Sequence, residues 1–400
     1  MIEQLKTGWK IKKLGEVCEF VRGPFGGSLK KNIFRSDGYA VYEQKHAIYD
    51  RFDNVRYFID ENKFNEMKRF ELNSGDLIMS CSGTIGKIAI VPENIKKGII
   101  NQALLKLSPS KKVSTVFLKL WMQSESFKDS LNEYSQGAAI KNVASVAILK
   151  NIQVPLPALP EQKRIVAILN KAFTTIAKAK ANAEENLKNA KALFESYLQG
   201  VFKGEDWEEK RLVEITSLLG DGLHGTPQYT EDGEYYFING NNLNNGIIQY
   251  KKTTQRVSIE EYHKYKKNLT DRTVLVSING TLGNVAFYNN EKIILGKSAC
   301  YFNLLEVVDK NFIKYVISSP YFWNYAHKEA TGATIKNVSL KTMREFKIPI
   351  PSLKEQQTIV KKLDALSVKT KRLEAVYQKK IEDLEELKKS VLQKAFNGGL

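Results

Sequence analysis

The sequence predicts an α+β protein built twice over: two globular domains separated by two long helices packed as an antiparallel coiled coil, in an internal pseudo-two-fold repeat. Three observations carry this reading. The chain resembles itself when slid by just under half its length, two long segments place apolar residues every three or four positions, and the segments between them hold short β-like runs broken by Gly and Asn.

The repeat is explicit. Val154-Pro-Leu-Pro-Ala-Leu-Pro-Glu-Gln matches Ile348-Pro-Ile-Pro-Ser-Leu-Lys-Glu-Gln, so Pro155, Pro157, Glu161 and Gln162 recur as Pro349, Pro351, Glu355 and Gln356. At the same offset Leu198, Gln199, Phe202 and Gly204 recur as Leu392, Gln393, Phe396 and Gly398. Upstream, Gln136-Gly-Ala-Ala-Ile-Lys-Asn-Val pairs with Thr331-Gly-Ala-Thr-Ile-Lys-Asn-Val, and Ser82-Gly-Thr-Ile-Gly with Asn279-Gly-Thr-Leu-Gly; the offset drifts slightly, as small insertions produce. Trp9-Lys-Ile-Lys-Lys-Leu and Trp207-Glu-Glu-Lys-Arg-Leu open the halves. Chance yields one such match, not a series in the same order. The expected domains are globular at 1–153, helical at 154–205, globular at 206–347 and helical at 348–400.

In the first helical region Ile165, Leu169, Phe173, Ile176, Leu187, Ala190, Phe194, Tyr197 and Val201 recur at helical spacing. The second copy runs Ile359, Leu363, Leu366, Leu373, Val376, Leu384, Leu387, Val391 and Phe396. Pro160 suits a first helical turn, Ser352 with Glu355 forms a capping-box pattern, and Gly204 and Gly398 are natural stops. About forty helical residues span about 60 Å, more than one small domain covers, so each stripe needs a partner. The helices either bind each other or offer separate docking stripes to another protein. Pairing within the chain is favoured because that partner is always present at high effective concentration. The stripe is weakest near Ala183.

In the globular segments Asp76-Leu-Ile-Met-Ser and Arg272-Thr-Val-Leu-Val-Ser-Ile read as strands, and Phe117-Leu-Lys-Leu-Trp and Phe312-Ile-Lys-Tyr-Val as helices. A hydrophobic content of 42% supports separate cores and excludes disorder as the default. Lys and Arg number 61 against 44 Asp and Glu, a net +17 that favours a polyanionic partner, nucleic acid first. The bland alternative is a lysine-rich protein kept soluble by its charge. Cys18, Cys81 and Cys300 lie far apart, which indicates neither a disulfide framework nor a thiolate zinc site. No run of eighteen apolar residues occurs, so the expectation is a soluble cytoplasmic protein without a membrane partner.

Catalytic patterns are missing. A DNA methyltransferase needs a Gly-rich cofactor loop and an Asn-Pro-Pro-Tyr-like tetrapeptide, but no two of the ten prolines are adjacent, and Ser319-Pro-Tyr-Phe reads as a helix-flanking turn. Gly296-Lys297-Ser298 lacks the earlier glycine of a phosphate-binding loop, Glu291 standing there. Glu161-Gln162-Lys163 could end a nuclease site, yet its copy is Glu355-Gln356-Gln357; carboxylates at a helix N-terminus are the simpler account. His46, His224, His263 and His327 show no metal-ligand spacing. No catalytic, cofactor or metal residue is proposed.

Several loops combine Gly with amide, hydroxyl and basic side chains, which let backbone approach DNA and then bond to phosphates or base edges. The candidates in the first half are Arg22, Ser28, Lys30 and Lys31; Gln44 and Lys45; Ser82, Thr84 and Lys87; and Lys141 and Asn142. In the second half they are His224, Thr226 and Gln228; Asn239 and Asn241; Asn279, Thr281 and Asn284; and Lys336 and Asn337. For any one loop an ordinary turn is the competing account. Where the halves agree, a shared fold or phosphate contact is the sensible reading. Where they differ, as in Gln44-Lys45-His46 against Asn239-Gly240-Asn241, base readout is.

Two variable domains alternating with two similar helical segments, entered through Pro-x-Pro-x-Leu-x-Glu-Gln and closed by Leu-Gln-x-x-Phe-x-Gly, resemble the specificity subunits of type I DNA restriction-modification enzymes. The resemblance spans essentially the whole chain; one departure is Lys354 where the first copy has Pro160. It implies that each variable domain is a target-recognition domain reading one half of a bipartite double-stranded DNA target. It further implies helices that bind two methyltransferase subunits, which carry S-adenosylmethionine and methylate adenine, and restriction (motor) subunits that join through the complex. The chain itself would then be non-catalytic. A stand-alone DNA-binding or decoy protein, and a coiled-coil scaffold with incidental charge, are the competing functions.

Overall fold

A computed structural model describes residues 7–25, 27–133, 145–202, 207–332 and 334–400. The chain forms two compact units, one comprising Met1–Ala183 with Lys379–Leu400 and the other Glu184–Gln378.

In the first unit a four-stranded antiparallel sheet runs in the order Cys18–Arg22, Leu104–Pro109, Leu77–Ser80, Ile88–Ile90. Beside it lies a three-stranded mixed sheet, Tyr57–Ile59, Tyr39–Tyr42, Gly98–Ile100, whose last pair is parallel. The second unit repeats this strand for strand. Its four-stranded sheet is Thr216–Asp221, Ala299–Leu304, Thr273–Ser277, Val285–Phe287, and its mixed sheet is Arg256–Val257, Tyr235–Ile238, Ile293–Leu295. The central strands are buried on both faces, which is why Leu77-Ile-Met-Ser and Thr273-Val-Leu-Val-Ser read as continuous rather than alternating apolar runs. The helices expected around Phe117 and Phe312 span Thr115–Met122 and Lys310–Ile317. Pro320 sits in the first turn of the helix Pro320–Glu329, so Ser319-Pro-Tyr-Phe is a helix start.

The units diverge after the strand Tyr39–Tyr42 and its counterpart Tyr235–Ile238. In the first unit the chain enters a short helix, Gln44–Tyr49, so Gln44 and Lys45 lie on a helical turn and not on the loop expected. In the second it makes one 3-10 turn, Gly240–Asn242, which places Asn241 on a helical turn too, and then a hairpin of Leu243–Asn244 with Ile247–Ile248. Asn245 and Gly246 both have positive φ there, the conformation a two-residue hairpin turn requires.

Each globular part closes on itself before its long helix begins. Lys10–Lys13 pairs with Gln153–Leu156, and Glu209–Arg211 with Lys347–Pro349. These two-stranded ribbons have only edge strands, which is where a strand tolerates Pro155 and Pro349.

The long helices span Leu159–Val201 and Leu353–Phe396. Ser352 Oγ accepts from the Glu355 amide at 3.4 Å, as the capping pattern predicts. At the far end Gly398 adopts φ +78°, and the Gly399 amide donates to the Lys394 carbonyl at 2.9 Å, a Schellman stop. Gly204, the other expected stop, lies outside the described residues.

Each unit contains a stretch of both helices running antiparallel. In the first, Ile165 and Leu169 share a core with Leu392, Ala395 and Phe396, Lys388 lies over the Phe173 ring, and Lys180 bonds Glu385 at 2.5 Å. In the second, Leu198 and Phe202 share a core with Val360 and Leu363. The seam is narrower than the stripes in the sequence. Leu169, Ile176, Ala183 and Ala190, each seven residues after the last, are buried, whereas Tyr197, Leu373, Val376 and Leu387 are exposed. A two-helix pair covers one heptad line closely and leaves the flanking apolar positions to solvent. Ala183 marks the weak point of the stripe in sequence and is nonetheless 2% exposed.

Candidate nucleic-acid interface

In both units the loops follow the ends of buried strands and are tied to one another by backbone hydrogen bonds. In the second unit the Leu223 amide donates to the Leu295 carbonyl, Ile278 to Ser298, and Gly280 to Lys336 at 2.9 Å. Thr331 and Asn337 exchange both backbone bonds at 2.9 Å, closing the loop that carries Lys336. Several candidate amides serve this lacing. Asn279 Nδ2 donates to Asn337 Oδ1 at 3.1 Å, and Asn239 Oδ1 accepts from Ser298 Oγ, which itself accepts from the Gly240 amide. Asn284 enters through its backbone amide, bonded to Ser277 Oγ. The exposed candidates are His224, Thr226, Gln228, Asn241, Thr281 and Lys336.

A cleft of about 430 Å³ brings Asn279, Asn337 and His224 together with Asp221 and Lys297. His224 Nε2 donates to Asp221 Oδ2 at 2.6 Å. Asn239 and Asn241 line a separate recess with Tyr229, Lys251 and Gln255.

In the first unit the Gly23 amide donates to the Leu104 carbonyl, Cys81 to Ala103, and Asn101 to Tyr42. Ser80 Oγ donates to the Thr84 carbonyl and accepts from the Lys87 amide, holding the loop that carries Ser82, Thr84 and Lys87. A cleft of about 460 Å³ is lined by Arg22 and Ser28 with Phe25, Glu66, Arg69 and Lys150. Phe25 is 93% exposed, and Lys30, Lys31, Thr84 and Lys87 are exposed as well. Lys45 lies 3.7 Å from Glu43, and Gln44 Oε1 is buried without a hydrogen-bond partner among the described residues. Lys141 and Asn142 lie outside the described residues.

The candidate residues did not include Asp221, which opens the Gly-rich loop of His224 and ends a strand, Lys297, which stands in Gly296-Lys297-Ser298, or Lys251; nor did they include Lys150 and Arg69, which belong to no motif and reach their cleft from short helices. The cysteines are buried, and desolvation raises their thiols, Cys18 to about 12 and Cys81 to about 11 with the Arg22 guanidinium opposing. They hold no thiolate at neutral pH. Among the described residues no group of three His, Cys, Asp or Glu could hold a metal, and no helix is long and apolar enough to cross a membrane.

The geometry carries a direct prediction. A Cβ on Gly23 would fall 1.8 Å from the Asn101 carbonyl oxygen, and one on Gly222 would fall 2.2 Å from that of Leu295. Since the obstacle is backbone, Gly23→Ala is expected to cost about 1–3 kcal/mol by overpacking and to displace Arg22. Gly222→Ala does the same to Asp221. Thermal melting reads the first effect and half-site selectivity the second; a variant unchanged in both contradicts it.

Residues 6–188 and 204–383 match the family model described as the type I restriction modification DNA specificity domain. The type I restriction enzyme MjaVIII specificity subunit of Methanocaldococcus jannaschii is 22% identical over 98% of this chain and 92% of its own length. The EcoKI specificity subunit of Escherichia coli is 21% identical over 99% and 90%. Among solved structures, a chain from work on complex assembly and conformational transition of the type I R-M system covers all of both chains at 21% identity with a TM-score of 0.78. The HsdS subunit from Thermoanaerobacter tengcongensis matches at 20% identity with a TM-score of 0.69, covering 100% of this chain and 99% of its own.

Proposed function

The chain belongs to the type I restriction modification DNA specificity family, and from that membership we propose that it is the specificity subunit of a type I restriction-modification complex. It reads a bipartite double-stranded DNA target through two recognition domains, docks two methyltransferase subunits and joins restriction subunits through the assembled complex. It supplies specificity and no catalytic step of its own, and it works in the cytoplasm. Recognition is assigned to 1–153 and 206–347, and the spacer helices to 154–205 and 348–400.

The observation that carries this reading is a shared frame with unshared tips. The two sheets repeat strand for strand, while the segment after the strand Tyr39–Tyr42 is a six-residue helix, and after its counterpart Tyr235–Ile238 it is a single 3-10 turn followed by a hairpin. A fold kept constant under changed exposed side chains is what two readers of different sequences require.

The test is co-expression with a methyltransferase subunit followed by mapping of modified adenines across the host genome. A split motif with two half-sites is expected, and the absence of any motif dependent on this chain contradicts the assignment. The halves should also separate. Changing Gln44 and Lys45 together is expected to alter one half-site, and changing Asn239 and Asn241 the other. Asn239 also braces Ser298, so Asn241 alone is the cleaner second variant. Loss of both half-sites from either change, with folding intact, argues against independent readers.

A further inference from the structure

The two clefts share an equivalent strand end of the repeated fold and carry opposite charge there. Arg22 pairs across the sheet with Leu105, which pairs with Met79, three residues before Ser82 of the first Gly-Thr-x-Gly loop. Asp221 pairs with Cys300, which pairs with Val276, three residues before Asn279 of the second. Arg22 and Asp221 are therefore register equivalents. Each closes its strand, and each precedes a glycine packed against backbone carbonyls, Gly23 and Gly222. Their surroundings correspond in part. Cys81 follows the strand that holds Met79, and Ile278, its counterpart in the second unit, lines the cleft of Asp221. Val146 and Leu340, each following the serine that caps a short helix, complete the two clefts.

We propose that this position is a base-reading position of opposite sense in the two recognition domains, Arg22 reading a guanine and Asp221 a cytosine. The proposal rests on the DNA-reading function above and names what that function recognises. A carboxylate facing DNA is repelled by phosphates, so Asp221 does not serve general affinity in a chain of net charge +17. An ionised carboxylate accepts only, and the major groove offers it the cytosine N4 amino group. His224 holds Oδ2, which fixes the plane of the carboxylate and leaves Oδ1 for that donor. Arg22 is the reverse case. Its guanidinium has no carboxylate partner among the described residues, and a planar fork of donors matches guanine O6 and N7.

The experiment selects binding sites from a randomised duplex pool with the complete complex of this chain and its methyltransferase subunits, using wild type, Asp221→Asn, Asp221→Arg and Arg22→Asp. Asp221→Asn preserves the shape and the His224 bond, and is expected to lower the preference for one cytosine in one half-site by about ten- to a hundredfold. Asp221→Arg should replace that cytosine by guanine, and Arg22→Asp should replace a guanine by cytosine in the other half-site. A wild-type motif that all three variants leave unchanged overturns the base assignment alone. So does loss of a whole half-site from Asp221→Asn with unchanged thermal melting, which marks a bracing role. A wild-type complex that selects no split motif overturns the underlying function instead.

Discussion

Raising salt from about 50 to about 200 mM is expected to weaken DNA binding by about a thousandfold. The estimate follows from lysines that the loops and clefts present to solvent: Lys30, Lys31 and Lys87 in the first domain, and Lys251, Lys297 and Lys336 in the second. Each phosphate contact releases condensed counterions and contributes about −0.9 to the slope of log affinity against log salt, so these residues together set a slope of about −5. Changing Lys297 and Lys336 to Gln should flatten the slope by about 2 and leave the selected motif intact, because phosphate contacts carry no base information. Fluorescence anisotropy on a duplex containing the target, measured with the assembled complex, reads both quantities. A flat salt response contradicts the use of the basic surplus for DNA and favours a scaffold whose charge is incidental.

The frame of this protein was legible because it is written twice. Pro155, Pro157, Glu161 and Gln162 return as Pro349, Pro351, Glu355 and Gln356, and the segments that follow carry helical periodicity long enough to be unambiguous. Periodicity says that a helix has an apolar side but not how wide a partner covers it. Tyr197, Leu373, Val376 and Leu387 lie on the stripes and are exposed all the same. The loops were legible as loops where Gly-Thr-x-Gly recurs, because those glycines take positive φ at Gly83, Gly86, Gly280 and Gly283.

The side chains within the loops were less readable. Asn239 and Asn279 have the composition of base readers, yet part of their hydrogen-bonding capacity is spent on Ser298 and Asn337. Asp221 opens the Gly-rich loop Asp221-Gly-Leu-His-Gly-Thr-Pro-Gln, but an acidic side chain is no local signature of DNA contact. It enters the cleft through cross-strand register with Cys300, which links it to a loop more than fifty residues away in sequence. Register is a long-range property, so a reading that moves along the chain one motif at a time does not reach it.

Gln162→Leu is expected to destabilise the first domain by about 3 kcal/mol, and Gln356→Leu to do the same in the second. Both glutamines are fully buried. Gln162 Oε1 accepts from the Ser114 amide at 2.8 Å, while Nε2 donates to the carbonyls of Pro157 at 2.9 Å and Lys112 at 3.3 Å. Gln356 repeats the set with the Asp309 amide at 2.8 Å and the carbonyls of Pro351 at 2.9 Å and Val307 at 3.2 Å. One side chain thus joins the loop before a domain helix, the proline-rich ribbon and the first turn of the long helix. This is the physical reason for a glutamine at that spacing in both copies. Leucine fills a similar volume but leaves an amide and two carbonyls buried without partners, each costing about 1 kcal/mol or more. Hydrogen exchange separates the two domains in one experiment. Protection at Ser114 should fall about a hundredfold in Gln162→Leu with Asp309 unaffected, and the converse should hold for Gln356→Leu. If neither amide loses protection and melting is unchanged, the glutamines do not fasten the helices to their domains, and the repeated motif needs another cause.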